Sequence, residues 1–459
     1  MRRVIRHLFA GALALALAAG SLNLAVLPAA AEEPSPQPTV EPTAEPAPEP
    51  TEPAAEPTPE PTATVEPTPE PTPEPTQTAT PESDTVDYTG TVNRLSAHVE
   101  GNEHGDETPT AMLYVAGRGY LAVDTTGWSE ADLQGRVTLT LAVPPTVTQS
   151  GDAAADFAAL ATAAAKNDLK ILGARPGRVS FERETSALVN QTPNSAATHR
   201  VYAVLVSPNG VTPTTAQRPK AANVATSVAY ADDYWSEQSS GSIGFDLVGT
   251  VPWYLSTYSC KTIPGSTSLW NQAAAKAASS LGYTAAKNNH LVLIFPSNAN
   301  CDGSLGLGTI GWSANEGGLS WVVGDGAGLN SAGVGNAALG KMEKATLVHE
   351  LGHNLSLGHA SWIECGASQP NPGFTGLSGC ARHDYGDIVD VMGFGDIGFD
   401  GGALSSAQAI RSSIWPSSAW TTAPEGTNSY VLNDVALNTG LRGVVVQDGN
   451  GVNSFLEYR

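Results

Sequence analysis

Three histidines and one glutamate lie between positions 349 and 359 with the spacing of a metal site. They are His349, Glu350, His353 and His359. On a helix, positions i and i+4 share a face, so His349 and His353 can bind one ion while Glu350 stands beside it. His359 can supply a third ligand if the helix ends and the chain turns back. Three protein ligands leave one position for water, as in catalytic rather than structural zinc sites.

The surrounding residues favour a helix. The stretch from Lys341 to Leu355 contains no proline, and its apolar residues form one stripe: Leu347, Val348, Leu351 and Leu355. Buried structural histidines or a solvated helix face are the alternative interpretations. An H-E-x-x-H pattern arises by chance in roughly one chain of this length in a hundred, and a histidine six residues later lowers that to about two in ten thousand. The sequence therefore predicts a zinc site.

The segment resembles the elongated zinc-binding motif of the metzincin peptidases, in which a methionine turn follows the third histidine. Asp390-Val391-Met392-Gly393 has the composition of that turn. Together with Tyr385-Gly386-Asp387, these motifs most resemble the gametolysin family, over about residues 195–400. The resemblance implies an α+β metzincin-like fold, with a twisted mixed sheet over the zinc helix and a lower subdomain after His359.

The resemblance also implies roles for individual residues. His349, His353 and His359 would hold one catalytic Zn²⁺, Glu350 would act as general base, and Met392 would form an apolar floor. An ordinary core methionine would be buried in the same way. The segment from Gly317 to Val323 is expected to be an edge strand that pairs with an extended substrate, or a strand protected by loops.

Two positions depart from the family pattern. Ser356 stands where the family has glycine, and a left-handed conformation there costs a non-glycine residue roughly 1–2 kcal/mol. Gly358 is a candidate to share the turn. Phe394 stands where some metzincins have a tyrosine, for which Tyr385 could substitute.

Five aspartates surround the expected methionine turn and suggest a second ion, Ca²⁺. They are Asp384, Asp387, Asp390, Asp396 and Asp400. No EF-hand spacing is present, and a solvated acidic loop is the alternative.

The four cysteines, Cys260, Cys301, Cys365 and Cys380, lack the C-x-x-C spacing of metal or redox sites. Sequential pairing, Cys260–Cys301 and Cys365–Cys380, closes the shortest loops. Four free buried thiols are the alternative, which an oxidising compartment disfavours.

The amino terminus has the layout of a secretory signal: three arginines before position 7, an apolar run, and Ala29-Ala30-Ala31 before Glu32. An uncleaved membrane anchor is the alternative for residues 1–31. Residues 32–84 are rich in Pro, Glu and Thr and predict an extended disordered linker. No later segment is apolar enough to cross a membrane, so we expect a mature chain that does not span one.

The remaining chain divides into three regions. Residues 85–192 are predicted to form a β-rich, propeptide-like domain, residues 193–422 the zinc peptidase domain, and residues 423–459 a short C-terminal β segment that either packs on the peptidase domain or is incomplete. Strands are expected near 111–115, 119–123, 136–141, 200–206, 241–251, 290–295, 430–432, 443–446 and 454–458, and helices near 152–169, 224–237 and 269–281. Related zymogens block the zinc with a propeptide cysteine, but residues 32–259 contain none. In a zymogen, His98, His104 or an acidic residue of this region could block the site instead; the alternative is that the domain only assists folding.

Charge and composition limit the function classes. The chain has 45 Asp+Glu against 23 Lys+Arg, so nucleic acid and anionic lipid are unfavourable partners. The prediction is a secreted, extracellular zinc metalloendopeptidase acting on proteins or peptides, with association to the cell envelope or wall left open. The alternative is a non-catalytic envelope-binding or adhesion protein that retains a peptidase fold; Ser356 favours it, and the intact Glu350 argues against it.

Overall fold

The computed structural model describes residues 84–99, 110–133, 135–176, 197–324, 337–365, 380–383, 385–393, 402–447 and 453–459. All of them belong to one compact unit, Thr78–Arg459. The predicted signal peptide, almost all of the predicted linker, and the residues His104, Asp384, Phe394, Asp396 and Asp400 lie outside the described residues. Among the described helices, none combines the length and apolarity that a bilayer span requires.

The first part of the unit is a five-stranded barrel. Its elements are β1 (Thr85–Val99), β2 (Thr110–Val115), β3 (Gly119–Asp124), α1 (Glu130–Leu133), β4 (Arg136–Ala142), α2 (Ala153–Ala164) and β5 (Leu169–Pro176). The pairing order β1-β2-β3-β5-β4-β1 closes on itself, and only β3 and β5 run parallel. This is the topology of the OB type of Greek-key barrel.

Alternating apolar residues fill the barrel. In β4, Val137, Leu139 and Leu141 are fully buried while the residues between them are more exposed, as the period of two requires. Helix α2 begins at Asp152, whose side chain accepts hydrogen bonds from the amides of Ala154 and Ala155. It covers the barrel with Phe157 and ends earlier than predicted, because Leu169 already starts β5.

The second part contains five strands and three long helices. They are β6 (Ala197–Ser207), α3 (Ala221–Gln238), β7 (Ile243–Leu255), α4 (Ile263–Leu281), β8 (Asn289–Phe295), β9 (Ser304–Ile310), β10 (Gly318–Val323) and α5 (Ala337–Asn354). The strand order is β9-β10-β8-β6-β7, and all neighbours are parallel except β9 with β10. Strand β8 confirms the strand predicted near 290–295, and every one of its residues is buried, as is usual for a continuous apolar run in a parallel sheet.

The two faces of this sheet carry different helices. Val201, Ala203 and Val292 pack with α3 and α5 in one buried cluster. Tyr202, Val204 and Leu293 pack with α4 in another. The helix that carries the predicted zinc motif therefore lies on the α3 face.

The expectation of an edge strand at 317–323 is wrong. Strand β10 lies inside the sheet, parallel to β8 on one side and antiparallel to β9 on the other. Strand β9 was not predicted, because its glycines interrupt the apolar pattern of a strand. It pairs with the edge of β10 that was expected to be free. The other edge of β9 pairs with the second half of β1, so the barrel and the second sheet share one strand in a continuous ten-stranded sheet. The predicted boundary at 192/193 stays a prediction, since it falls outside the described residues.

The chain after α5 adds short elements around the predicted site. These are β11 (Trp362–Cys365), β12 (Cys380–His383), α6 (Ser406–Arg411), β13 (Trp420–Thr422), β14 (Gly443–Gln447) and β15 (Asn453–Glu457). Strands β13 to β15 form a small sheet on both sides of the predicted boundary at 422. Val435 and Val445 belong to the buried cluster that contains residues of α5, so this segment packs on the same face of the sheet as α5. The strand predicted near 430–432 is wrong: Val431 is 87% exposed and pairs with no described strand.

Cys260 and Cys301 form a disulfide, as predicted. It joins the start of α4 to the segment before β9. Cys380 is also disulfide-bonded, in keeping with the predicted second pair, Cys365 with Cys380. The register of β11 and β12 places these two residues directly opposite each other.

Candidate metal centre

Helix α5 brings the first two histidines onto one face. Leu347, Val348 and Leu351 anchor the helix in the core with no measurable exposure. His349 and His353, one turn apart, have ring centroids 4.7 Å from each other. The predicted apolar stripe therefore fixes which side of the helix presents the imidazoles.

His359 reaches the same point through a tight helix end. Ser356 has φ of 78°, its N–H donates to the His353 carbonyl at 2.9 Å, and the Leu357 N–H donates to the Gly352 carbonyl at 3.1 Å. These two bonds form a Schellman motif, which normally uses glycine at the left-handed position. Gly358 does not have a positive φ and does not share the turn.

The three histidines converge. Their ligand atoms all lie within 4.8 Å of one another, and the His359 ring is 4.9 Å from that of His353, centroid to centroid. Ser356 thus does not prevent His359 from joining the group. Three imidazoles at this spacing could hold one metal ion, and nitrogen ligands of this kind suit zinc.

Backbone carbonyls orient the two helical imidazoles. His349 Nδ1 lies 2.8 Å from the Val391 carbonyl oxygen, and His353 Nδ1 lies 2.8 Å from that of Leu357. A carbonyl only accepts, so each Nδ1 donates its proton and the lone pair resides on Nε2. Such bonds fix ring orientation and tautomer at metal sites.

Glu350 lies beside the triad, completely buried. Neither carboxylate oxygen has a hydrogen-bond partner among the described residues. Burial raises the pKa of Glu350 well above its usual range because the charged form is desolvated. A buried carboxylate without a partner is costly for folding alone, and a nearby cation is the ordinary compensation.

Glycines of β9 make room for this carboxylate. A Cβ at Gly306 would overlap the Glu350 carboxylate, and one at Gly308 would lie 2.8 Å from Glu350 Oε2. Sequence reasoning missed both residues. Alternating glycines in Ser304–Ile310 were the available signal, since glycine inside a strand often marks close approach of another group.

Met392 lies under the helix, fully buried. A Cβ at Gly352 would overlap the Met392 sulfur, so the glycine admits the thioether. The Met392 carbonyl accepts a hydrogen bond from the N–H of Ala360 at 2.8 Å, which joins the turn to the residue after His359. The predicted floor position is therefore occupied, and its role stays a proposal.

Asp390 holds the turn from inside. Its two carboxylate oxygens accept hydrogen bonds from the amides of Met392 and Ser405, each at 2.7 Å. Burial raises its pKa to about 6, against the lowering effect of these bonds. Arg459 lies 3.7 Å from Asp387 and 3.9 Å from Asp390, between charged atoms.

The calcium interpretation finds no support in the part of the chain that the structure describes. Asp387 accepts amide hydrogen bonds from Val389 and Asp390, and Asp390 is engaged as above. Both carboxylates also have Arg459 as counter-charge. The turn thus uses these two aspartates to organise its own backbone.

Tyr385 packs directly on the third histidine. Its ring centroid is 3.5 Å from that of His359 and 5.9 Å from that of His349, and the side chain is 1% exposed. Tyr385, which the sequence suggested as a substitute for a turn tyrosine, therefore lies beside the three histidines.

A buried polar chain connects α5 to the sheet, and sequence reasoning missed it. His199 Nδ1 is 2.8 Å from His290 Nε2, and His290 Nδ1 is 2.9 Å from Asn354 Oδ1. Asn354 in turn donates to the Thr309 carbonyl at 2.9 Å. Burial lowers the pKa of His290 to about 4, although the bond to Asn354 opposes this, and burial together with His290 lowers that of His199 to about 3. The residue after the second zinc-motif histidine is thus fixed to β8 and β9.

Comparison with known proteins agrees with a metallopeptidase. Residues 221–360, which include the three histidines, match the family described as Metallo-peptidase family M12B Reprolysin-like. This supports a reprolysin-like metallopeptidase domain over these residues; a gametolysin-like subfamily stays a prediction. No curated protein matches the chain.

Several solved structures are similar over about half of the chain. Metalloproteinase-II from Bacteroides fragilis has a TM-score of 0.29 and 11% identity, over 48% of this chain and 54% of that one. Wild-type OgpA from Akkermansia muciniphila has a TM-score of 0.28 and 17% identity, over 56% and 70%. A catalytically inactive OgpA, solved with an O-glycopeptide substrate, has a TM-score of 0.27 and 16% identity, over 47% and 59%. The chain spans about half the length of the first of these.

Proposed function

We propose that the chain is a secreted zinc-dependent endopeptidase that hydrolyses peptide bonds in proteins. The observation that carries the proposal is the convergence of three histidine ligand atoms within 4.8 Å, beside a fully buried carboxylate. The match of residues 221–360 to a metallopeptidase family supports it.

His349, His353 and His359 would hold the ion. Zinc bound there would polarise the substrate carbonyl and lower the pKa of a bound water molecule to near neutrality. The carbonyls of Val391 and Leu357 would keep the imidazoles in the required tautomer. The match of this donor set to zinc chemistry is what favours zinc over calcium.

Glu350 would carry the protons. Its carboxylate would accept a proton from the attacking water and return it to the leaving amine. Gly306 and Gly308 support this role, because they leave space for the carboxylate and keep its surroundings free of side chains from β9.

Secretion is part of the proposal. The Cys260–Cys301 disulfide is compatible with an oxidising compartment. The signal-like residues 1–31 give the address, and cleavage before Glu32 is expected in the exported protein.

A Glu350→Gln variant tests the mechanism. We expect it to retain one zinc ion per chain and to lose at least about a thousandfold in cleavage of unfolded casein, since the amide cannot shuttle protons. Zinc is measured by elemental analysis, and cleavage is measured with and without a chelator. Glu316→Gln is the matched control: Glu316 is a partly buried glutamate outside the site that accepts a hydrogen bond from Trp312 N–H. Undiminished, chelator-sensitive cleavage by Glu350→Gln would exclude Glu350 as the base.

A further inference from the structure

Residues 390–393 form a β-turn that lies under helix α5. The Gly393 N–H donates to the Asp390 carbonyl at 2.9 Å, which joins the first and fourth residues of the turn. Val391 and Met392 are its two central residues, and both are buried. This closing bond does not fix the central peptide group, whose orientation distinguishes turn types I and II. The direction of the Val391 carbonyl therefore depends on further contacts.

The side chain of Asp390 supplies one such contact. Its Oδ1 atom accepts a hydrogen bond from the Met392 N–H at 2.7 Å, which is the pattern of an Asx turn. The Met392 N–H belongs to the same peptide group as the Val391 carbonyl. Because a trans peptide group is planar, holding its N–H toward Asp390 directs its carbonyl to the opposite side.

On that opposite side lies His349. The Val391 carbonyl accepts a hydrogen bond from His349 Nδ1 at 2.8 Å. One planar peptide group thus links the Asp390 carboxylate to the imidazole. Histidines at metal sites often donate directly to a carboxylate, and here a peptide group stands between the two. A hydrogen bond from its N–H to an anion polarises the peptide group, so that its carbonyl becomes a stronger acceptor.

The Asp390 carboxylate is itself held in place. Its Oδ2 atom accepts a hydrogen bond at 2.7 Å from the N–H of Ser405, the residue that caps the start of α6. Arg459 Nη2 lies 3.9 Å from the same oxygen, and the Asp390 side chain has no measurable exposure. The carboxylate therefore has a fixed position and a positive charge nearby.

His353 provides an internal comparison. Its Nδ1 donates to the Leu357 carbonyl at 2.8 Å, which lies in the tight helix end and not in the 390–393 turn. The hydrogen bonds of the Asp390 side chain go to Met392 and Ser405. A change at Asp390 should therefore affect the imidazole of His349 and leave that of His353 as it is.

We infer that Asp390 is a positioning residue for His349, acting through the peptide group between Val391 and Met392. It holds the carbonyl that keeps the imidazole proton on Nδ1, so that the lone pair of Nε2 is directed to a metal ion. The effect on zinc binding rests on the proposed function. The tautomer of His349 in the metal-free chain does not.

The first test uses the full-length chain without metal. In protein labelled with ¹⁵N-histidine, long-range ¹H–¹⁵N correlation at about pH 8, where imidazoles are neutral, distinguishes the two tautomers. Asp390→Ala removes both acceptor oxygens. We expect a mixture of tautomers at His349 and exchange of its Nδ1 proton at least tenfold faster than in wild type, with His353 unchanged. A spectrum of His349→Gln assigns the signal.

The second test measures the affinity for Zn²⁺ alone, by competition with a chelator. Asp390→Ala should bind zinc about 10–100-fold more weakly than wild type, as expected for loss of a group that orients a ligand. Asp387→Ala is the matched control. Asp387 also lies near Arg459, but its carboxylate accepts hydrogen bonds from the amides of Val389 and Asp390. Its zinc affinity should stay close to that of wild type, and an equal loss in both variants would overturn the assignment.

Asp390→Asn covers the case in which alanine prevents folding. The amide keeps the shape and one acceptor oxygen but lacks the charge, and its NH₂ group cannot accept a hydrogen bond. Zinc affinity and Nδ1 exchange should change in the same directions as in the alanine variant, by smaller factors. Wild-type values of both in a folded Asp390 variant would overturn the role of Asp390. If both change as expected but zinc-loaded wild type cleaves no casein, the proposed function fails and the role of Asp390 stands.

Discussion

Ser356 illustrates how one unfavourable residue is tolerated at the candidate metal site. It takes the left-handed conformation, φ 78°, that the Schellman motif requires, and its neighbours still bring His359 to the other two histidines. The strain is compensated by the buried leucines on either side, Leu355 and Leu357. Ser356 therefore no longer favours the alternative of a non-catalytic protein.

We expect Ser356→Gly to stabilise the chain by about 0.5–1 kcal/mol. Glycine removes the left-handed strain of roughly 1–2 kcal/mol, and its greater freedom in the unfolded chain returns part of the gain. Urea unfolding of the zinc-free protein measures the change. Gly358→Ala is the control, because Gly358 has a negative φ and open space around its Cα, so alanine there should not destabilise. Destabilisation by Ser356→Gly would contradict the strain account.

The elements show where sequence reasoning succeeds. Helix α5 and its ligand face follow from an apolar stripe and a fixed spacing, both of which are local properties. Strand β8 follows from a continuous apolar run. Strand β9 does not, because its alternate glycines remove the apolar signal exactly where Glu350 needs space, and the position of β10 was misjudged as a result. Which strand covers β9 depends on pairing with residues more than two hundred positions away, and no local pattern reports that.

The buried hydrogen bonds from His199 in β6 through His290 in β8 to Asn354 in α5 make the free energy of unfolding depend on pH. The pKa of His290 is lowered to about 4 and that of His199 to about 3, from ordinary values of 6.5. Between these limits the unfolded state binds more protons than the folded state. The contribution of these two histidines to the free energy of unfolding is therefore fully present above about pH 6.5. It decreases as the pH falls, by at most about 1.4 kcal/mol per pH unit for each histidine.

A double variant, His199→Phe with His290→Leu, isolates this effect. The loss of stability between pH 7 and pH 5 should be smaller than in wild type, because neither side chain can take up a proton on unfolding. Urea unfolding is carried out with a chelator, so that release of zinc from the three ligand histidines does not contribute. Asp390 has the opposite effect on the pH dependence: its pKa is raised, so the folded state binds more protons than the unfolded state. Because Asp390 is present in both proteins, it does not affect the comparison. An identical pH slope in the two proteins would contradict the assignment.

At the level of the whole chain, the disulfide closes a long loop. Cys260 and Cys301 are 41 residues apart, and the loop contains α4 and β8. The loop-entropy relation gives about 4 kcal/mol for a loop of this length. We expect Cys260→Ser with Cys301→Ser to lower the free energy of unfolding by about this amount, measured by urea unfolding under non-reducing conditions. Wild type in reducing agent provides the comparison, and a change below about 1 kcal/mol would contradict the estimate.

The C-terminal segment packs against the elements that carry the candidate metal site. Arg459 faces Asp387 and Asp390, the Glu457 carboxylate accepts a hydrogen bond from Ser406 N–H at 2.5 Å, and Val445 packs in the α5 cluster. The sequence left open whether this segment packs on the peptidase domain. The contacts of its charged residues could not be predicted from the sequence, because their partners lie some 50–70 positions earlier in the chain.

Membership of β1 in both the barrel and the larger sheet has a consequence for biosynthesis. Every pairing that closes the barrel joins residues between 85 and 176, whereas the ladder with β9 needs residues 304–310. Distant pairings form slowly, because a long loop must close first. We therefore expect the barrel to be complete while the ribosome is still making the rest. The second half of β1, which extends beyond the barrel, would then be available for β9 to pair with. Such a partner matters for β9, because its glycines give it little intrinsic preference for a strand.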